Sequence, residues 1–291
     1  MATSAYLPAN QPPPLEGYDL FSENRPLVEA LRREGGPADD EQCAAFGRLC
    51  GGEPLELGRL ANEHPPILRT HDRFGERIDE VEFHPAWHEL LGLGIGHALH
   101  SASGGHVARA ARFMTLAYAE AGVGCPLSMT FASVPALRAA APGLADEWTP
   151  LLGSTTYDRE LRPHRDKAGA LCGMAMTERQ GGSDVRANET RADPAGDVYL
   201  LSGDKWFCSA PTSDAFLVLA QAPDGLTCFL LPRILADGSR NDHHHSDEFT
   251  GPTRGDVLRR GSQLRSGIRQ LRYHRNRQRG EWWWGQFTSD Q

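Results

Sequence analysis

Met174-Ala175-Met176-Thr177-Glu178-Arg179-Gln180-Gly181-Gly182-Ser183-Asp184 gathers the groups that a ligand-contacting turn needs. Two adjacent glycines permit tight turns and close backbone approach, while Thr177, Ser183 and Asp184 offer small polar groups that hold a turn or meet a ligand. A β signal follows: Val198-Tyr199-Leu200-Leu201, a Ser202-Gly203-Asp204 turn, then Lys205-Trp206-Phe207-Cys208-Ser209. That adds a planar hydrophobic wall beside the polar donors. Residue types alone leave two readings open, a buried turn with a hairpin or a β-rich ligand site.

The elements that must position these residues are legible upstream and downstream. Residues 26–34 and 40–51 return apolar side chains at helical spacing on either side of Gly35-Gly36-Pro37, and residues 55–61 continue the layer until Pro65-Pro66 stops it. Residues 77–81 lead out of a turn at Gly75, and Pro85 opens a helix toward Leu93. The clearest helix spans 106–121, with Val107, Ala110, Ala111, Met114, Ala117 and Ala121 as its apolar stripe, Arg109, Arg112 and Glu120 on polar faces, and Gly122 and Gly124 ending it. A second apolar helix covers 129–140, has Pro135 inside it and stops at Pro142-Gly143.

Residues 150–169 are polar and turn-rich, the entry to a second domain. Past the 174–184 loop, short apolar runs at 198–201, 205–208, 215–220 and 226–231 alternate with turns such as Asp193-Pro194-Ala195-Gly196-Asp197. That is the cadence of antiparallel strands. A parallel dinucleotide-binding sheet is disfavoured, since its glycine fingerprint and long crossover helices are missing. The expected fold class is α+β, a helical N-terminal domain followed by a small antiparallel β-barrel-like domain.

Composition bounds the partners. The chain of 291 residues has a net charge of -8, but residues 254–279 hold nine Arg and one acid, Asp256, so this stretch carries +8 and the remainder -16. The acidic remainder repels phosphate; the basic stretch attracts it. Six cysteines, at 43, 50, 125, 172, 208 and 228, form no close pair and read as free buried thiols. His84 with His88, and His97 with His100, share helical faces, but a metal site needs three or four convergent ligands, so packing or surface roles are expected and no metal is assigned. Without a signal segment or a membrane-length apolar run, no membrane partner and a cytoplasmic location are expected.

The M-T-E-x-x-x-G-S-D arrangement at 176–184 followed by K-W-F-C-S at 205–209 resembles the two flavin-contacting segments of the acyl-CoA dehydrogenase family. Upstream, Leu57-Gly58-Arg59-Leu60-Ala61-Asn62, Pro65-Pro66, Phe83-His84-Pro85-Ala86-Trp87-His88 and Val107-Ala108-Arg109-Ala110-Ala111-Arg112-Phe113-Met114 resemble its bacterial branch induced by DNA alkylation. The likeness runs from about Tyr18 to about Gly238. It implies an FAD cofactor, oxidoreduction on CH-CH groups of acyl-CoA-type substrates and a link to the DNA alkylation response. Carried over by position, Met176 and Thr177 meet the isoalloxazine edge, Ser183 lies near the flavin phosphate or the substrate cleft, and Trp206 covers a ring face with Phe207, Cys208 and Ser209 as its strand wall. Cys208 stands where the wider family commonly has a hydroxyl. Glu178 is given a structural or polar-edge role, because the family's catalytic carboxylate lies in a later helical domain, and no base is nominated.

After Gly238 the likeness stops at His243-His244-His245, the Arg-rich stretch and Trp282-Trp283-Trp284. The family's C-terminal helical bundle, which carries much of the flavin clamp, the base, the oligomer contacts and the principal proposed DNA surface, is expected to be missing. The family is homo-oligomeric, whereas this chain would lack the main oligomer domain. The organisation expected is a flexible lead-in at 1–17, the helical domain at 18–155, the middle β domain at 156–240 and a divergent, basic, disordered tail at 241–291. Three readings of function follow: a truncated, catalytically impaired FAD flavoprotein; a redox enzyme completed by another chain; and a nucleic-acid-associated protein that grips phosphates weakly and nonspecifically through its arginines while the tryptophans stack on bases.

Overall fold

Asn24 opens the first helix, because its side chain accepts the Leu27 amide at 3.3 Å and Pro26 occupies the first turn, so α1 runs Arg25–Glu34. The computed structural model describes residues 10, 12, 15, 17–36, 39–101, 105–196, 198–241, 244–246 and 262–268. Within them follow α2 (Asp40–Cys50), α3 (Glu53–Glu63), a hairpin of β1 (Ile67–His71) and β2 (Arg77–Glu82), α4 (Pro85–Gly96), α5 (His106–Ala119), α6 (Gly124–Ala140) and α7 (Pro142–Leu152). The helix read to residue 140 does stop before Pro142, and Pro142 also lies in the first turn of α7, where its missing N–H has no helical acceptor to lose.

The stripe expected on α5 also needs correction. Its buried face is Ala108, Ala111, Arg112, Thr115 and Leu116, while Met114 and Tyr118 point outward. Arg112 is inside because α4 ends against it: its Nη1 donates to the His97 carbonyl at 3.2 Å, and Arg109 Nε donates to the Leu99 carbonyl at 2.7 Å. The unpaired carbonyls at a helix C-terminus attract cations, so Arg112 serves as a cap on α4, while Arg109 holds the turn that follows it. The histidines are used locally as well. His84 accepts the Ala86 amide at the start of α4, His88 Nδ1 lies 2.7 Å from the Tyr157 hydroxyl, and His100 Nε2 lies 2.9 Å from the Ser154 carbonyl.

Among the described residues the β domain has seven strands: β3 (Cys172–Ala175), β4 (Arg191–Ala195), β5 (Val198–Lys205), β6 (Ala215–Ala222), β7 (Gly225–Pro232), β8 (His244–Ser246) and β9 (Ser262–Ile268). Pairs β4–β5, β5–β9, β6–β7 and β8–β9 are antiparallel. Two parallel pairings join them, β3 on β6 with Cys172 opposite Ala215, and β4 on β6 through Arg191 and Gln221. The β4–β5 hairpin, inserted between β3 and β6, brings the chain back without a helical crossover. Ser202-Gly203-Asp204, read as a turn, lies inside β5; the chain reverses instead at Gly196, whose φ is +66°. Of the expected tail, 244–246 and 262–268 are strands; the remaining residues from 242 onward, among them Trp282, Trp283, Trp284 and eight of the nine arginines, lie outside the described residues, as does most of the lead-in.

Packing joins the two layers. Leu137 of α6 and Trp148 and Leu152 of α7 share one buried cluster with Phe216, Val218, Phe229 and Leu231 of the sheet, and the Thr130 hydroxyl accepts the Cys172 amide at 3.1 Å. A second cluster, with Phe46, Trp87, Leu90, Leu91, Ile95, Leu116 and Leu127, holds the helices and takes in Leu171 at the entrance to β3. None of the described helices is long and apolar enough to cross a membrane.

Close helix contact depends on Gly58, where an added Cβ would run into the Ala119 carbonyl at the end of α5. Alanine is the better helix former by about 1 kcal/mol. The clash is with backbone and cannot relax by a rotamer change, so Gly58→Ala is expected to destabilise the chain by about 1–3 kcal/mol. A lower urea midpoint with an unchanged denaturant slope is the signature to look for.

Candidate functional site

β3 delivers the first motif at its C-terminal end, with Met176 and Thr177 partly exposed and Glu178 turned inward to 3% exposure. A tight reversal follows, with the Gly181 amide donating to the Glu178 carbonyl at 3.0 Å and Gly181 at φ +132°. Gly182 then lies against Thr177: a Cβ there would come within 2.6 Å of the Thr177 hydroxyl. Ser183 is exposed, and the Asp184 side chain accepts the Arg186 amide at 3.2 Å.

Glu178 is saturated. Its carboxylate accepts Lys205 Nζ at 2.7 Å, the Thr190 hydroxyl at 2.5 Å and amide at 3.0 Å, the Glu189 amide at 2.6 Å and Gln180 Nε2 at 2.9 Å. The Lys205 side chain is fully buried, at 0% exposure. Burial raises the Glu178 pKa, but the hydrogen bond from Lys205 and then those from Thr190, Gln180 and Glu189 outweigh it and hold the carboxyl at about 2. Burial pushes Lys205 below the usual lysine range against the pull of Glu178. A carboxylate so engaged is a structural ion, in line with the structural role expected for it, and is no proton acceptor.

The second motif follows directly on β5. The Trp206 amide donates to the Thr177 carbonyl at 2.8 Å, which brings the two motifs together at the residues next to the ion pair. Phe207 has a φ of +57°, a region that residues other than glycine rarely adopt, and the residue is 52% exposed. Trp206 packs edge-on to it, with ring centroids 5.7 Å apart. Cys208 turns inward to 3% exposure, and the Ser209 hydroxyl donates to the Phe207 carbonyl at 3.3 Å. Thr177 and Trp206 are thus joined through their backbones and partly exposed, with exposed Phe207 beside Trp206 and exposed Ser183 on the loop beyond Gly182, while partly buried Met176 packs against the core. Cys208 belongs to the core behind them.

Three supporting residues, Asn188, Thr190 and Gly203, lie outside both motifs, and the inward role of Lys205 was not read from its motif. Asn188 Nδ2 holds the Met176 carbonyl at 2.9 Å, Thr190 and Lys205 hold Glu178, and Gly203, at φ +156°, leaves room for Thr190, whose hydroxyl a Cβ would meet at 2.5 Å. One signal was in the sequence. Leu201 and Lys205 both fall on the inward side of β5 by its period of two, and a lysine there requires an anion.

Glu178→Gln is expected to cost about 3–5 kcal/mol, because it removes the carboxylate that pairs with the buried Lys205 ammonium. Breaking the exposed Arg59–Glu63 pair should leave stability almost unchanged, because solvent screens it. The folded pKa of Glu178 lies below its ordinary value of 4.5, so its stabilisation is complete above that pH and is lost as pH falls toward about 2. Urea unfolding at pH steps across this window should therefore show a steeper loss in the parent than in Glu178→Gln; parallel profiles would exclude Glu178 as the titrating group.

Comparison with known proteins places these motifs in a family. Residues 10–159 match the family described as "Adaptive response protein AidB N-terminal domain", and residues 173–248 match "Acyl-CoA dehydrogenase, middle domain". The chain is 49% identical over 241 residues to "Putative acyl-CoA dehydrogenase AidB" of Escherichia coli strain K12, covering 80% of this chain and 44% of that protein. It is 30% identical over 207 residues to "Acyl-CoA dehydrogenase family member 11" of Caenorhabditis elegans, covering 64% of this chain and 33% of the relative. This chain thus spans less than half the length of either. In fold it matches a crystal structure of C. elegans ACDH-11 in complex with C11-CoA, with a TM-score of 0.66 and 24% identity over 82% of this chain and 44% of that one. A structure described as the apo form of Bd2924 matches with a TM-score of 0.69 and 24% identity over 87% of this chain and 54% of that one. With a family model matching residues 10–159, a second matching residues 173–248 and 49% identity over 80% of this chain, the chain belongs to the acyl-CoA dehydrogenase family.

Proposed function

We propose that the face formed by Met176, Thr177, Ser183, Trp206 and Phe207 is the FAD site of an acyl-CoA dehydrogenase-like flavoprotein. The observation that carries this reading is the bond from the Trp206 amide to the Thr177 carbonyl, which sets an exposed aromatic ring beside hydroxyl and backbone groups. The residues fit such a cofactor: Phe207 and Trp206 offer perpendicular apolar faces for a planar ring, and Thr177 and Ser183 offer hydroxyl donors for its polar edge and phosphate. Cys208 and Ser209 contribute backbone support, since the thiol is buried and the hydroxyl is engaged locally. Bound FAD would supply the acceptor for oxidation of a CH-CH group. The chain's own residues bind and orient it, and the buried Glu178 takes no proton.

Titration of the 291-residue chain with FAD, followed by flavin fluorescence, tests the site. Phe207→Ala and Trp206→Ala are each expected to weaken binding by about tenfold, corresponding to about 1.4 kcal/mol for a stacked ring. Affinity equal to the parent's in both variants would remove the aromatic wall. Acyl-CoA thioesters form the natural substrate panel, because the C. elegans fold relative is described with C11-CoA. Under anaerobic mixing this chain is expected to leave the flavin oxidised, because Glu178 is already saturated and cannot take the substrate proton. Rapid bleaching would show that another residue or a partner supplies the base.

A second reading rests on charge. With -16 on the rest of the chain and +8 between Arg254 and Arg279, nucleic acid would be held by the basic stretch alone, through phosphates and without base recognition. Replacing Arg269, Arg272, Arg275, Arg277 and Arg279 by Gln should flatten the salt dependence of duplex binding by up to about four or five in log-log slope. Selective binding of alkylated duplex that survives these changes would place recognition in the helices and sheet.

A further inference from the structure

We propose that Glu178 and Lys205 are positioning residues, a buried pair that fixes the Thr177 edge against the Trp206-Phe207 wall and thereby sets how tightly and in what orientation this face holds a flavin. The inference rests on the flavin reading of the same site. Its basis is an alternation of inward and outward groups. Glu178 and Lys205 point inward and meet at 2.7 Å, and each is followed or preceded by a residue of the open face, Thr177 before one and Trp206 after the other. The backbone link between those two neighbours, 2.8 Å long, lies one residue from the ionic link and is held in register by it. A third tie, from Asn188 to the Met176 carbonyl, fixes the strand on the other side of Thr177.

Energetics point to placement over strength. Replacing a buried ion pair by well-packed apolar residues is often neutral or stabilising, so stability alone does not call for these charges. What apolar packing lacks is direction. The Glu178 carboxylate collects donors from Gln180, Glu189, Thr190 and Lys205, which belong to the turn after β3, the approach to β4 and the end of β5. One carboxylate thus sets the mutual position of the segments that bear both halves of the open face. Phe207, half exposed and in a left-handed conformation, is one residue beyond Trp206 and takes its orientation from where β5 ends.

The test separates placement from stability in the full-length chain. Glu178→Gln combined with Lys205→Met leaves no unpaired buried charge, and the thermal midpoint should return toward the parent's relative to either single variant. FAD affinity should nevertheless stay at least about tenfold below the parent's, the spectrum of the bound flavin should broaden, and amide exchange at Trp206 should speed up in the cofactor-free protein. FAD affinity that recovers together with the midpoint would overturn the proposal. Thr190→Val is a milder variant that removes one Glu178 hydrogen bond and keeps the ion pair. It should weaken FAD about threefold and loosen the Trp206 amide; unchanged values for both would likewise overturn the proposal. If the parent itself binds no FAD, the cofactor reading fails, and Trp206 exchange in the cofactor-free variants decides the positioning role alone.

Discussion

A lysine and a glutamate removed from water each forfeit several kcal/mol of solvation, and a fold can hold them there only if their geometry and remaining hydrogen bonds repay it. Glu178 and Lys205 meet that condition through segments far apart in sequence. Thr190 must lie close enough to donate through both hydroxyl and amide, which requires Gly203 opposite it in β5. Gln180 must fold back over the Glu178–Gly181 reversal. The loop after β3, the β4–β5 hairpin and the start of the second motif therefore form one unit, since none can shift without exposing or stranding a charge.

Elsewhere the chain handles buried charge differently. In the helical layer Arg112, 4% exposed, is held by a carbonyl at the end of α4, where the helix supplies partial negative charge, and Arg109 by a carbonyl of the turn that follows. At the junction, Lys167 pairs with Asp214 at 2.9 Å and donates to the carbonyls of Asp158 and Glu160, which ties the segment leaving α7 to the start of β6. Each solution fixes a connection: α4 to α5, the linker to the sheet, and motif to motif. The apolar clusters supply the bulk of the burial, while these polar contacts decide which segments face one another.

The functional consequence lies in the division of labour across the alternation. Inward Glu178 and Lys205 are engaged with each other, whereas Thr177, Ser183, Trp206 and Phe207 are partly or fully exposed and are the groups that the proposed site would turn to a ligand. A saturated, deeply buried carboxylate has neither a free lone pair nor access, so a reaction at this face that abstracts a proton needs its base from elsewhere. On the proposed flavin reading, the described residues bind and orient the cofactor, and Glu178 takes no part in proton transfer.

The order of layers, helices then strands, was readable because Pro and Gly punctuate helical and two-residue periods at Gly35-Gly36-Pro37, Pro65-Pro66, Pro85 and Gly196, signals that act over a few residues. The two motifs, and the structural role of Glu178, were readable because they are contiguous and their resemblance is local. Periodicity failed where a distant group changed the local balance: it put Met114 inside and Arg112 outside α5, since it cannot know that α4 ends against Arg112. It cut β5 at Ser202-Gly203-Asp204, since a Gly that admits Thr190 from β4 looks the same as a Gly that makes a turn. Sequence by itself determined the class of element and the chemistry available at 174–184 and 205–209. Only tertiary structure decided which of those side chains face inward, because the ion pair that divides them joins residues 27 positions apart, and its energy exists only once both have left water together.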